Sequence, residues 1–163
     1  MRTFMSSPSA TQSSTNPKAF RTIAWAGLIA GALDITAACI HAGSRGMGPI
    51  RVLQSVAMGL LGRSSFDGGL KTAALGLALH FLIATTAAAI YYAASRKLAF
   101  LTEQAFAAGP LYGVTVYLFM YWIVLPLVGI HVPFSPSATA IAVTIHIFCV
   151  GLPISLTVRH FSK

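Results

Sequence analysis

The sequence predicts an all-α fold, a bundle of four transmembrane helices accompanied by one short amphipathic helix at the membrane interface. Three observations carry this expectation. Of 163 residues, 56% are hydrophobic and only 9% charged, whereas soluble globular domains carry about 25% charged residues. The apolar residues gather in four runs, near 22–41, 70–94, 106–128 and 137–158, each of about the 20 residues needed to cross a bilayer. The basic residues lie in the gaps between these runs, where headgroups and the positive-inside rule place them.

That placement also decides how the net charge of +8 is read. A nucleic-acid partner would need basic residues clustered on one exposed face with polar or aromatic groups to read bases, and no such cluster exists, so no nucleic-acid partner is expected. The expected partners are membrane lipids, including anionic headgroups. Cys39 and Cys149 both fall inside apolar runs and read as small buried hydrophobes. No CxxC pair or dense Cys/His tract points to a zinc finger or a thioredoxin-like site.

Residues 1–21 are rich in Ser, Thr and Pro, contain no acid, and predict a disordered tail that cannot bury enough apolar surface to fold alone. Thr36 to Cys39 faintly resembles a lipoprotein cleavage box. The length of the apolar run and the acid within it favour a retained span instead. This first span, Thr22 to His41, holds Asp34 near its middle, one of only three acids in the chain.

Gly48-Pro49 reads as a helix start, and Ile50, Leu53, Val56, Leu60 and Leu61 recur at helical spacing. The stretch 49–62 is too short to span and too polar for lipid on every side, so an interfacial or re-entrant helix is expected. It ends at Asp67-Gly68-Gly69, a turn signal. The second span follows, with His80 inside it and Tyr91 and Tyr92 near one membrane face as an aromatic belt. After Arg96-Lys97 and a short loop with Glu103, the third span carries Gly109-Pro110 at its start and Pro126 near its end. The fourth carries His146 at its centre and a kink signal at Pro153.

Four spans place both termini on one side. That side carries seven Lys or Arg residues against four on the other, which predicts cytoplasmic termini and a multi-pass protein of a bacterial inner membrane. Residues 159–163 are expected to close the chain as a short tail at the headgroups.

A carboxylate in hydrocarbon costs at least about 2.5 kcal/mol, so Asp34 is expected to face protein. Gly27, Gly31, Asp34, Ala38 and His41 form one helical stripe, and small residues on such a stripe let helices approach closely in lipid. Gly76 and His80 form a similar stripe in the second span, and Gly109, Gly113 and Tyr117 in the third. At about 1.5 Å per residue, Asp34, His80 and His146 fall within one layer only several Å thick. Tyr117 and Tyr121 reach the same layer.

Three readings of that layer compete. Asp34 and a histidine can satisfy each other as a lock on helix register. The same groups can form a proton or small-solute pathway, since carboxylate and imidazole are the groups that relays use. The third is a haem or metal redox site with His80 and His146 as ligands, although no spacing signature supports it. No nucleophile motif, glycine-rich phosphate loop or HExxH points to an enzyme. His41, His131 and His160 sit at interfaces and read as solvated. A cofactor is therefore not expected, and the Gly27/Gly31 face could pack within the chain or against a second copy or a partner subunit.

Gly27-Leu28-Ile29-Ala30-Gly31, Gly76-x-x-x-His80, Gly109-x-x-x-Gly113, Leu125-Pro126-x-x-Gly129 and a final span with His146 together resemble the YagU-type proteins, small four-span bacterial inner-membrane proteins of unknown function. The resemblance covers the four spans and omits the tail; Asp34 and residues 48–69 have no counterpart in it. It implies location and architecture, and no activity.

Overall fold

A computed structural model describes residues 17–131 and 133–162. The described residues form helices and turns with no strand among them: α1 Pro17–Gly43, α2 Pro49–Leu61, α3 Gly69–Ser95, α4 Phe100–Glu103, α5 Ala105–Leu127 and α6 Pro136–Ser162. The fold is an all-α bundle. Helices α1, α3, α5 and α6 are long and apolar enough to cross a bilayer, an architecture that fits a multi-pass integral membrane protein. Most of the expected disordered tail lies outside the described residues.

Two boundaries differ from expectation. Residues 17–21 belong to α1 and not to a tail, because proline is pre-organised for the first helical turn. Residues 159–162 extend α6, where Ser162 donates to the carbonyl of Val158 at 2.7 Å and Arg159 complements the negative end of the helix dipole. The loop bearing Glu103 is itself a helical turn, α4.

The expected proline kinks take a specific form. α5 widens into a π-helical turn over Met120–Val124, just before Pro126, and α6 does so over His146–Gly151, just before Pro153. Proline has no N–H for the carbonyl four residues earlier, and a widened turn is one way a helix absorbs that loss.

Glycines set the helix pairing. A methyl group at Gly31 would press on Phe81 and Ala84, and one at Gly27 on Thr85, so α1 and α3 lie in close contact. Methyl groups at Gly109, Gly113 or Gly151 would meet the backbone or side chains of the facing helix, so α5 and α6 do the same. Helix α1 also packs along α6. The order around the bundle is therefore α3, α1, α6, α5; although consecutive spans, α3 and α5 meet through the Tyr112 side chain and not in a close helix-to-helix contact.

The buried core, Ala26, Ala30, Ala87, Ala88, Tyr91, Val150, Ile154 and Val158, fills the half nearer the termini. Tyr91 belongs here and not to an aromatic belt: it is 1% exposed. Its hydroxyl donates to the carbonyl of Leu101 at 2.8 Å, and a tyrosine whose hydroxyl finds a partner can be buried whole.

Helix α2 closes the opposite end. The backbone at Leu53 rests on Gly76 of α3, leaving no room for a side chain there, and a methyl group added at Gly59 would lie 3.8 Å from Val128 beyond α5. The corner after α2 is a 3-10 turn, Gly62–Asp67. Gly62 and Gly69, with φ of 62° and 57°, supply the left-handed backbone that other residues resist. Buried Gln54 donates to the carbonyl of Gly69 at 3.1 Å and to Thr72 Oγ1 at 3.3 Å, while Thr72 donates to the carbonyl of Ser65 at 2.6 Å. Arg51 lies over the Phe66 ring at 5.2 Å, a cation–π contact that holds the outer side of the same corner.

Candidate functional site: a polar layer under α2

Between the apolar core and α2 lies a layer of polar side chains. Counting at about 1.5 Å per residue from the helix midpoints, Asp34, His80, His146 and Tyr117 all fall within several Å of one depth, and Tyr121 lies slightly nearer α2. Because α1 and α3 touch through Gly27 and Gly31, the side chains one turn further along, Asp34 and His80, are brought together.

The Nε2 of His80 is 2.9 Å from the carbonyl oxygen of Gly31. A carbonyl only accepts, so Nε2 carries the hydrogen and donates. Asp34 Oδ2 stands 4.0 Å from the same nitrogen, with side-chain exposures of 13% for His80 and 19% for Asp34. The carboxylate is thus a second, longer-range partner of an N–H already committed to the backbone. The Phe81 ring packs edge-on against the imidazole at 5.7 Å, which limits how far His80 can turn.

A second group forms on α5 and α6. His146 Nδ1 is 2.8 Å from the carbonyl of Ala142 and, by the same reasoning, donates to it. Tyr117 meets His146 edge-on with ring centroids 5.5 Å apart and stacks on Tyr121 at 5.5 Å. Tyr117 is buried because Gly113, one turn before it, seats α5 against the backbone of His146 and Ile147.

The five polar residues thus divide into Asp34 with His80, and His146 with Tyr117 and Tyr121. Cys149 lies one turn from His146 in the π segment and within electrostatic reach of Asp34. Its reading as a small hydrophobe carries no signal of how near an acid on another helix it will stand. The glycines are found at helix contacts: Gly27 and Gly31 between α1 and α3, Gly76 under α2, Gly109 and Gly113 against α6.

Among the described residues no group of three His, Cys, Asp or Glu side chains converges. Tyr112 also escaped the sequence reading. It meets Tyr91 edge-on at 4.8 Å and donates to the carbonyl of Ala87 at 2.7 Å, bridging α5 to α3.

No protein family, curated protein or solved structure matches the chain. The functional reading therefore rests on the geometry of the layer.

Proposed function

We propose that the chain is an inner-membrane protein of bacterial type with cytoplasmic termini, in the manner of the YagU-type proteins it resembles, and that its polar layer handles protons. The observation that carries this reading is the ring-nitrogen arrangement. His80 and His146 each commit one nitrogen to a carbonyl, and among the described residues the second makes no hydrogen bond, leaving its lone pair free as an acceptor. Asp34 stands 4.0 Å from the His80 imidazole, so a carboxylate and an imidazole are neighbours across the α1–α3 contact. Carboxylate and imidazole side by side at mid-membrane depth are the groups that intramembrane proton relays use.

The test is proton flux into vesicles carrying the reconstituted protein. Asp34→Asn and His80→Ala are expected to lower the flux at least tenfold while the helical circular dichroism is kept. Folded variants that conduct like the parent would refute the reading.

A second reading is favoured by the 2.9 Å bond between His80 and the Gly31 carbonyl, which ties α3 to α1 directly. There the layer serves as a register lock for the bundle. It predicts loss of stability on removal of His80, with no flux in the parent protein.

A further inference from the structure

The separation of α3 from α5 leaves a cleft of about 480 Å³ along the flank of the bundle. It runs between Ile83 and Ile90 of α3 and Val116, Phe119 and Val124 of α5, with Tyr112 at one end. Ile90 and Phe119 at its rim are 59% and 53% exposed, so the cleft opens to the hydrocarbon around the bundle.

We infer that this cleft, together with Lys97 at its terminus-bearing end, is a binding site for one anionic phospholipid, with a single acyl chain lying between α3 and α5. The lining first defines the chemistry of the guest. Every hydroxyl in the cleft is already donated: Thr86 to the carbonyl of Leu82 at 2.8 Å, Thr115 to that of Leu111 at 2.9 Å, and Tyr112 to that of Ala87 at 2.7 Å. A guest finds no free donor there, which suits hydrocarbon.

The dimensions then choose among apolar guests. From Tyr112 to Val124 the lining extends about 18 Å along α5, and about 480 Å³ spread over that length makes a slot narrower than a helix with its side chains, which is at least about 10 Å across. The slender form of an acyl chain, whose carbons meet their neighbours at about 4 Å, suits it.

Charge identifies the headgroup. Ile83, Ile90 and Lys97 follow one another at seven-residue steps and so lie on one stripe. Lys97 continues the helical turn beyond α3, its N–H bonded to the carbonyl of Ala94 at 3.0 Å. It stands about 10 Å past Ile90, beside Arg96, and both are exposed. Glu103 is the acid found at this end among the described residues, and it lines a separate cavity with Arg159 on the α6 side. A lipid phosphate at the cleft mouth therefore meets uncompensated positive charge.

Native mass spectrometry of the full chain, extracted from vesicles of equal phosphatidylglycerol and phosphatidylcholine content, tests the site. One phosphatidylglycerol per chain is expected to survive extraction, at least tenfold over phosphatidylcholine. Lys97→Gln, a surface change that leaves packing intact, is expected to abolish that preference. Ile83→Trp with Val116→Trp, which fills the cleft, is expected to abolish retention of both lipids. Equal retention of the two lipids by the parent protein, or an unchanged preference in Lys97→Gln, would overturn the inference. So would a dimer that disappears in the tryptophan variant, since a second copy would then occupy the cleft.

Discussion

The backbone of His146 rests on Gly113 with no space between them for a methyl group. The same contact sets the position of the imidazole against Tyr117, so a packing glycine and a candidate functional histidine meet at one point. Gly113→Ala is accordingly expected to destabilise the bundle by about 1–3 kcal/mol, the usual cost of overpacking. Gly43→Ala is the control: nothing lies within 4 Å of a methyl there, and its thermal midpoint in detergent is expected to stay with that of the parent or rise slightly.

His80→Ala removes the bond to the Gly31 carbonyl and is expected to cost about 0.6–1.7 kcal/mol, the range found for interhelical polar contacts in membranes. Asp34→Asn should cost less, because the carboxylate holds His80 only at 4.0 Å. Equilibrium unfolding of both variants, set beside their proton flux, distinguishes a lock from a pathway. An Asp34→Asn protein less stable than His80→Ala would contradict this ranking.

Ser65 offers a stabilising change. Its hydroxyl is fully buried and has no hydrogen-bond partner among the described residues, and a buried unpaired polar group costs about 1–3 kcal/mol. Ser65→Ala is expected to raise the thermal midpoint by a few degrees, and a fall would reveal a partner for that hydroxyl.

Gln54 works in the opposite sense. The residue is 3% exposed, and its amide donates to the carbonyl of Gly69 and to Thr72 Oγ1 across the corner from α2 to α3. Gln54→Leu keeps the volume and removes both bonds, leaving the Gly69 carbonyl with the Thr72 hydroxyl at 3.2 Å, at an expected cost of about 0.5–1.5 kcal/mol. The loss should show as earlier proteolysis between residues 45 and 69, with the spans themselves protected.

Sidedness is open to direct measurement. A cysteine replacing Asp67, in the corner beyond α2, is expected to react with a membrane-impermeant maleimide from outside intact cells, while one replacing Lys97 reacts only after lysis. The reverse pattern would invert the topology drawn from the Lys and Arg counts.

Much of the fold was legible in the chain because lipid imposes strong local rules. A run of about 20 apolar residues must satisfy its own backbone, so it becomes a helix whatever surrounds it. Four such runs therefore announce four spans without any knowledge of their neighbours, and Asp34, as an acid within one of them, stands out as needing protein around it. Gly48-Pro49 and Asp67-Gly68-Gly69 likewise mark the ends of the segment containing α2 through backbone conformation alone.

Rotation and neighbour order are different in kind, since they depend on how side chains of separate helices interlock. Helical spacing put Gly31 and Asp34 on one stripe, yet only packing against Phe81 and Ala84 decided that His80 would bond the Gly31 carbonyl and leave Asp34 at 4.0 Å. Tyr91 shows the limit plainly. By position it suited an aromatic belt, and the carbonyl of Leu101, ten residues away, gave its hydroxyl a partner and drew the ring inside. The sequence by itself determined which segments cross the membrane, through hydrophobicity and backbone hydrogen bonding within each segment. Tertiary structure alone decided the order α3, α1, α6, α5 and the cleft it leaves, because the closest approach of two helices is set by the shapes of both.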